Sequence, residues 1–247
     1  MKKNLYFLLI LFLLPVLTFA QRKELTLEDA VMQQYRNFAP QSLIAFQWVP
    51  NTDCYTYLDG YTKLMKASVR NTEAKEMLNI QDLNTKLGAE LYWFSGLEWK
   101  NENEFWVNDG QKYYSYNTVE EKGRLIHGLD EDAENALFHN GTENVAYTRG
   151  NNVYIHTGNG LKVIVTDNED KNIVSGQAIA RSEFGITGGL FWSPNGQMLA
   201  YYQKDETDVH DYPLLDINAT PGELMSIKYP MAGQKSEHPK VGIFRID

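Results

Sequence analysis

Residues 181–213 read RSEFGITGGLFWSPNGQMLAYYQKDETDVHDYP. The centre of this stretch has the punctuation of a β-meander. An aromatic-rich run ends at Trp192, a Ser193-Pro194-Asn195-Gly196 turn follows, and an alternating run from Met198 closes on the acidic pair Asp205 and Glu206. Pro presets φ and Gly supplies positive φ, so such a tetrapeptide between two apolar runs predicts a hairpin turn.

Working outward, three earlier segments align with residues 190–205: IAFQWVPNTDCYTYLDG from Ile44, GLEWKNENEFWVNDG from Gly96 and ALFHNGTENVAYTRG from Ala136. Their equivalent aromatic positions are Trp48, Trp99, Phe138 and Trp192. An irregular period of about 40 to 50 residues, with several strands in each unit, points to propeller blades. A single β-sandwich is the competing architecture. Within each unit the aligned aromatic is expected to face the neighbouring sheet, so most of these aromatics are expected to belong to the core. Helical pattern is scarce beyond ELTLEDAVMQQYRNFA at residues 24–39, where Thr26 stands at a cap position ahead of first-turn acids. The expected fold is all-β: a partial β-propeller of about four blades after a short N-terminal helix.

Residues 1–20, MKKNLYFLLILFLLPVLTFA, place Lys2 and Lys3 before an unbroken apolar run and end on small residues near Ala20. This is the pattern of a secretory signal peptide, with an uncleaved anchor as the alternative. The expected organisation is a signal peptide at 1–20, a helical lead-in at 21–40 and a propeller at 41–247, in an exported protein that is periplasmic, secreted or on the cell surface. Cys54 is the sole cysteine, which rules out an intrachain disulfide and suits a buried small hydrophobe. A composition 43% hydrophobic and 13% aromatic fits a packed globular chain. The formal charge of -9 argues against a nucleic-acid partner, which needs Lys and Arg clusters.

The W-S-P-N-G turn at 192–196, the LAYY strand at 199–202, Asp205-Glu206-Thr207 and the YP-x-AG segment at Tyr229 to Gly233 occur in an order that resembles the N-terminal propeller region of dipeptidyl peptidase IV-like serine peptidases, in the prolyl oligopeptidase clan. Weaker similarity extends back to TLEDAV near residue 26. The resemblance implies an eight-bladed propeller followed by an α/β-hydrolase domain, so the sequence is expected to stop about halfway round the propeller, before that domain. It also implies a segment interrupting one blade, in which two adjacent glutamates grip the protonated N-terminal amine of a peptide. Here that pair reads Ser182-Glu183, followed by Phe184. Glu183 takes the second glutamate's place and Ser182 substitutes a neutral hydroxyl for the first, which puts strict dipeptidyl specificity in doubt. Arg181 is placed to pair with Glu183. Without the resemblance, Glu183 reads as a solvated loop carboxylate.

A catalytic role within these residues is not expected. There is no G-x-S-x-G, and Ser193 sits in a turn rather than on a strand-to-helix elbow. His127, His139, His156, His210 and His238 are scattered among the units with no metal-ligand spacing, so neither metal nor cofactor is expected. Asp205 and Glu206 read as turn carboxylates accepting backbone N–H bonds, and Tyr212 and Pro213 as shaping an excursion from the blade. The family's propeller arginine, which holds a substrate carbonyl, is not placed. Lys112, Arg124 and Arg149 lie in the right part of the chain, but none stands in a matching motif. Asn140-Gly141-Thr142 and Asn218-Ala219-Thr220 fit the glycosylation pattern and are given no role.

Two functions follow. One is the substrate-gating part of an exported dipeptidyl peptidase that acts on proline-type peptide N-termini. Its partners are the peptide, the hydrolase domain and, in the complete protein, a second copy. The other is a non-enzymatic secreted binding or interaction module.

Overall fold

The computed structural model describes residues 24–40, 42–179 and 184–246, so residues 1–20, read as a signal peptide, lie outside it. The chain divides into two compact units, Met1–Ser42 and Leu43–Asp247. In the first, the backbone N–H of Asp29 donates to Thr26 Oγ1 at 3.0 Å, and the Thr26 N–H donates to Asp29 Oδ2 at 3.3 Å. This reciprocal cap starts the expected helix, which continues as a π-helical turn, Asp29–Gln33. Among the described residues, no helix is long and apolar enough to cross a membrane.

The second unit contains four antiparallel sheets and one hairpin. The first sheet has the order β1 (Ile44–Trp48), β2 (Cys54–Asp59), β3 (Lys63–Ser68), β4 (Lys75–Asn79). The second is β5 (Glu98–Trp99), β6 (Glu104–Asn108), β7 (Lys112–Asn117), β8 (Lys122–Gly128). The third is β9 (Glu134–His139), β10 (Asn144–Arg149), β11 (Asn152–His156), β12 (Lys162–Ile164). The fourth gathers β13 (Ile173–Ser175), β14 (Leu190–Trp192), β15 (Met198–Asp205) and β18 (His238–Arg245). Between β15 and β18 the chain makes a separate hairpin, β16 (Asp211–Asp216) and β17 (Glu223–Lys228), which contains Tyr212 and Pro213. Consecutive four-stranded meanders are propeller blades, so the all-β propeller expectation holds and the sandwich does not.

Successive sheets bury apolar layers against each other. Leu58 and Leu64 of the first sheet meet Phe105 and Val107 of the second, Tyr113 meets Val145 and Tyr147, and Ala146 and Ile155 meet Leu190 and Leu199. Three of the four aligned aromatics follow one rule: each packs on the sheet that precedes its own. Trp99 donates its indole N–H to the fully buried Thr56 Oγ1 at 2.9 Å. Phe138 stacks on Tyr113 with centroids 5.3 Å apart, and Trp192 donates to the Leu137 carbonyl at 3.0 Å. Trp48 departs from the core expectation. It is 54% exposed and its ring meets those of Phe46 and Tyr55 in its own sheet, because no sheet precedes the first among the described residues.

An unexpected helix, α1 (Ile80–Leu87), follows β4. Asn79 caps it by accepting the Asp82 N–H at 2.9 Å, Gly88 ends it in the left-handed conformation, and Ile80 and Leu83 enter the first core. Cys54 is half-buried beside that core.

Candidate functional site

Each sheet begins with its first strand, so connections between sheets emerge beside the turns that join second and third strands. Hydrogen bonds tie the two together at one end of the blades. Phe94 N–H donates to the Tyr61 carbonyl at 3.0 Å, Leu129 N–H to the Gln111 carbonyl at 2.9 Å, and Gln177 Nε2 to the Gly150 carbonyl at 3.3 Å. The sequence-identified segment lies not in the connection from the third sheet to the fourth but within the fourth sheet, between β13 and β14.

Its geometry is that of an excursion closed at its base. β13 and β14 pair with successive parts of the same strand, β15: Ser175 opposite Gln203 and Leu190 opposite Tyr201. Between them, Gly176 N–H donates to the Tyr202 carbonyl at 2.7 Å, and Tyr202 N–H donates to the Gly189 carbonyl at 2.9 Å. The chain therefore leaves the sheet at Gly176 and rejoins it at Gly189. Both glycines are required: a Cβ on Gly176, at φ +76, would stand 2.6 Å from Val153, and one on Gly189 would meet the Gln177 carbonyl oxygen at 2.2 Å. Arg181, Ser182 and Glu183 fall between these two points in sequence and lie outside the described residues. The next residue, Phe184, is 90% exposed at φ 55.

Thr187 and Gly188 of the returning arm border an open hollow of about 750 Å³ beside Phe138, Phe191 and Trp192. This volume lies within the range of small-ligand clefts. Glu98 contributes a carboxylate and accepts Asn140 Nδ2 at 2.9 Å. Asn140 also accepts the Trp106 indole N–H, so its side chain ties two sheets together.

The three basic candidates are dispersed. Arg149 is paired with Asp130 at 3.4 Å and Asp132 at 2.8 Å. Arg124 donates to both Glu143 oxygens at 2.8 and 2.9 Å, at the far end near the turn into β10. Lys112 opens β7. Burial pushes the Glu143 carboxyl up, but hydrogen bonds from Arg124 and Lys100 outweigh it and hold its pKa below the ordinary value.

His127 and His156, from the second and third sheets, have ring centroids 5.6 Å apart, and burial followed by the His127 charge lowers the His156 pKa. Among the described residues, no three His, Cys, Asp or Glu side chains group as a metal site. Ser193 Oγ accepts the Met198 N–H at 2.9 Å and donates to Asn195 Oδ1 at 2.7 Å, so it is committed to its turn. Asp205 accepts the Thr207 N–H at 3.0 Å as a turn carboxylate, whereas Glu206 pairs with Lys204 at 2.6 Å.

Tyr92 and Trp93, which no sequence motif singles out, stand exposed at the same end of the blades as the connections. Four consecutive large apolar residues, Leu91 to Phe94, lying between Gly88 and Gly96 outside any alternating run, were the available signal.

A profile for the Dipeptidyl peptidase IV (DPP IV) N-terminal region matches residues 97–247. The chain is 24% identical over 141 residues to dipeptidyl aminopeptidase B of Saccharomyces cerevisiae, covering 53% of this chain and 17% of the yeast protein. A crystal structure from Bacteroides ovatus, described as a dipeptidyl aminopeptidase IV, superposes with a TM-score of 0.68 at 30% identity, covering 83% of this chain and 29% of that one. Porphyromonas gingivalis dipeptidyl peptidase 4 gives a TM-score of 0.59 at 18% identity, over 90% of this chain and 34% of its own, a likeness of fold. The chain thus spans about a third or less of the length of these relatives.

Proposed function

The chain belongs to the family of the dipeptidyl peptidase IV N-terminal region, and from that membership we propose that it is the substrate-gating propeller portion of an exported serine-type dipeptidyl peptidase. Glu183 receives the protonated N-terminal amine of a peptide, Ser182 supplies a neutral hydrogen-bonding group beside it, and the groups that attack the peptide bond lie outside these 247 residues. The observation that carries this reading is the family match over residues 97–247, which includes Ser182-Glu183-Phe184 and both glycines at the base of the excursion.

An α-amino group with a pKa of roughly 8 is cationic at neutral pH, and a charge-assisted hydrogen bond to it is stronger than a neutral one. A carboxylate fixed at one distance from the reacting bond measures how many residues separate the free end from that bond. This turns a general peptidase into one that removes short N-terminal units. With one carboxylate in place of two, attraction is weaker and the counting less strict. Export follows from residues 1–20, and association of the complete protein into homodimers is part of the same proposal.

The test joins this propeller to a serine hydrolase domain by exchanging residues 97–247 for the matched segment of the Bacteroides ovatus relative. Glu183→Ala should lower kcat/KM for a free-amine Xaa-Pro substrate by about tenfold or more, the worth of a hydrogen bond to a charged group. Reaction with a small serine-directed acylating probe should be unchanged, which reports an intact nucleophile. An N-acetylated substrate should respond little. Equal effects on the free and acetylated substrates would overturn the assignment.

A further inference from the structure

The connection after α1 is built to hold two aromatic rings in solvent. Leu91 and Phe94 are buried at 5% and 3% exposure, while Tyr92 and Trp93 between them are 84% and 54% exposed. Asn84 fixes this short loop from both sides: its Oδ1 accepts the Leu91 N–H and its Nδ2 donates to the Leu91 carbonyl, each at 2.9 Å. Ser95 N–H closes a turn on the Trp93 carbonyl at 2.9 Å, and Asn108 N–H reaches the Ser95 carbonyl at 3.0 Å. Scattered exposed apolar residues are ordinary, but here a third ring, Tyr61 at 55% exposure, joins the pair in one patch. A backbone pinned before a ligand arrives loses little entropy on binding it.

Hollows lie on both sides of the Tyr92–Trp93 ridge. One, of about 410 Å³, runs toward Gly60 and Tyr61. The other, of about 300 Å³, lies between the ridge and the β6–β7 turn, where Glu90 and Asp109 line it with the amides of Asn108 and Gln111. Asp109 Oδ1 accepts the Gln111 and Lys112 backbone N–H groups at 3.0 and 2.6 Å, which fixes its place. Among the described residues no ion pair reaches Glu90 or Asp109. Two carboxylates without counter-ions beside two exposed aromatic rings on a pinned backbone are the complement of a cation on an apolar stem, because ring faces and carboxylates both attract it.

We propose that the hollow between the Tyr92–Trp93 ridge and the β6–β7 turn binds the cationic side chain, guanidinium or alkylammonium, of a peptide. Trp93 and Tyr92 hold the stem, and Glu90 and Asp109 receive the charge. From the proposed function this takes only that the ligand is a peptide; it does not depend on Glu183. The hollow adds a preference for a basic residue to a protein whose amine site sets only where the peptide begins.

The probes are Nα-acetyl-arginine methylamide and its neutral isostere Nα-acetyl-citrulline methylamide, titrated calorimetrically into the full chain. Both lack a free amine, so neither engages the amine site. The arginine derivative should bind roughly tenfold more tightly than the citrulline one, and added salt should narrow the gap. Trp93→Ala and Glu90→Gln, both at exposed positions, should each weaken it severalfold. Glu183→Ala should change nothing. Equal affinity for the two probes, no binding of either, or unaltered binding to Trp93→Ala would overturn the proposal. Loss on Glu183→Ala alone would move the cation to the amine site and equally refute it.

Discussion

Glu143 shows how single residues hold adjacent blades together. Its carboxylate, only 16% exposed, takes bonds from Arg124 of β8 and Lys100 after β5, and its carbonyl lies 2.5 Å from His127 Nε2. Its pKa is held below the ordinary 4.5, so its contribution is fully present above that value and is lost as pH falls through the lower, folded-state pKa. Glu143→Gln should therefore destabilise the chain at pH 7 by about 1 kcal/mol, a modest figure because Arg124 is half in solvent. Well below that folded-state pKa the variant and parent should melt alike. A denaturant series at both pH values checks this, and a gap that persists in acid would exclude the carboxylate as its cause. None of this network was legible in the sequence, where Glu143 is one of many turn acids. Ser182 and Glu183, by contrast, are proposed from the sequence alone, through the order of motifs around them.

At the scale of elements, the sequence carried the strands well because alternation and turn residues are local signals. Trp48, Trp99, Phe138 and Trp192 all fall on first strands, and Ser193 to Gly196 form the turn read from the Pro and Gly. Helix α1 was missed because an eight-residue helix offers barely two turns of apolar period, and only its caps, Asn79 and Gly88, announced it. Solvent exposure of a strand aromatic depends on what lies beyond its sheet, which is not local. The packing rule predicts unequal costs for the same substitution. Trp99→Phe leaves the buried Thr56 hydroxyl without its donor and should cost about 1 to 3 kcal/mol. Trp48→Phe, at an exposed ring, should stay within about 0.5 kcal/mol. Equal losses in chemical denaturation would refute the claim that each sheet docks through its aromatic onto the one before.

For the second unit as a whole, connections and turns interlock at one end of the stacked blades, and the proposed peptide recognition is assigned to that end. Within that unit, the Gly176–Gly189 pinch closes an excursion between two strands of the fourth sheet, and the Tyr92–Trp93 ridge belongs to the connection between the first and second sheets, both places where chain length is free to vary without disturbing the cores. The central functional claim is that Glu183 recognises a peptide by its free amine. Calorimetry on the full chain with Ala-Pro-Ala-amide and its N-acetyl derivative at neutral pH addresses it directly, with Glu183→Ala and Ser182→Glu as companions. The free-amine peptide should bind about tenfold or more tightly than the acetylated one, Glu183→Ala should erase that ratio, and Ser182→Glu should widen it. A ratio near one, or a ratio that survives Glu183→Ala, would contradict the account.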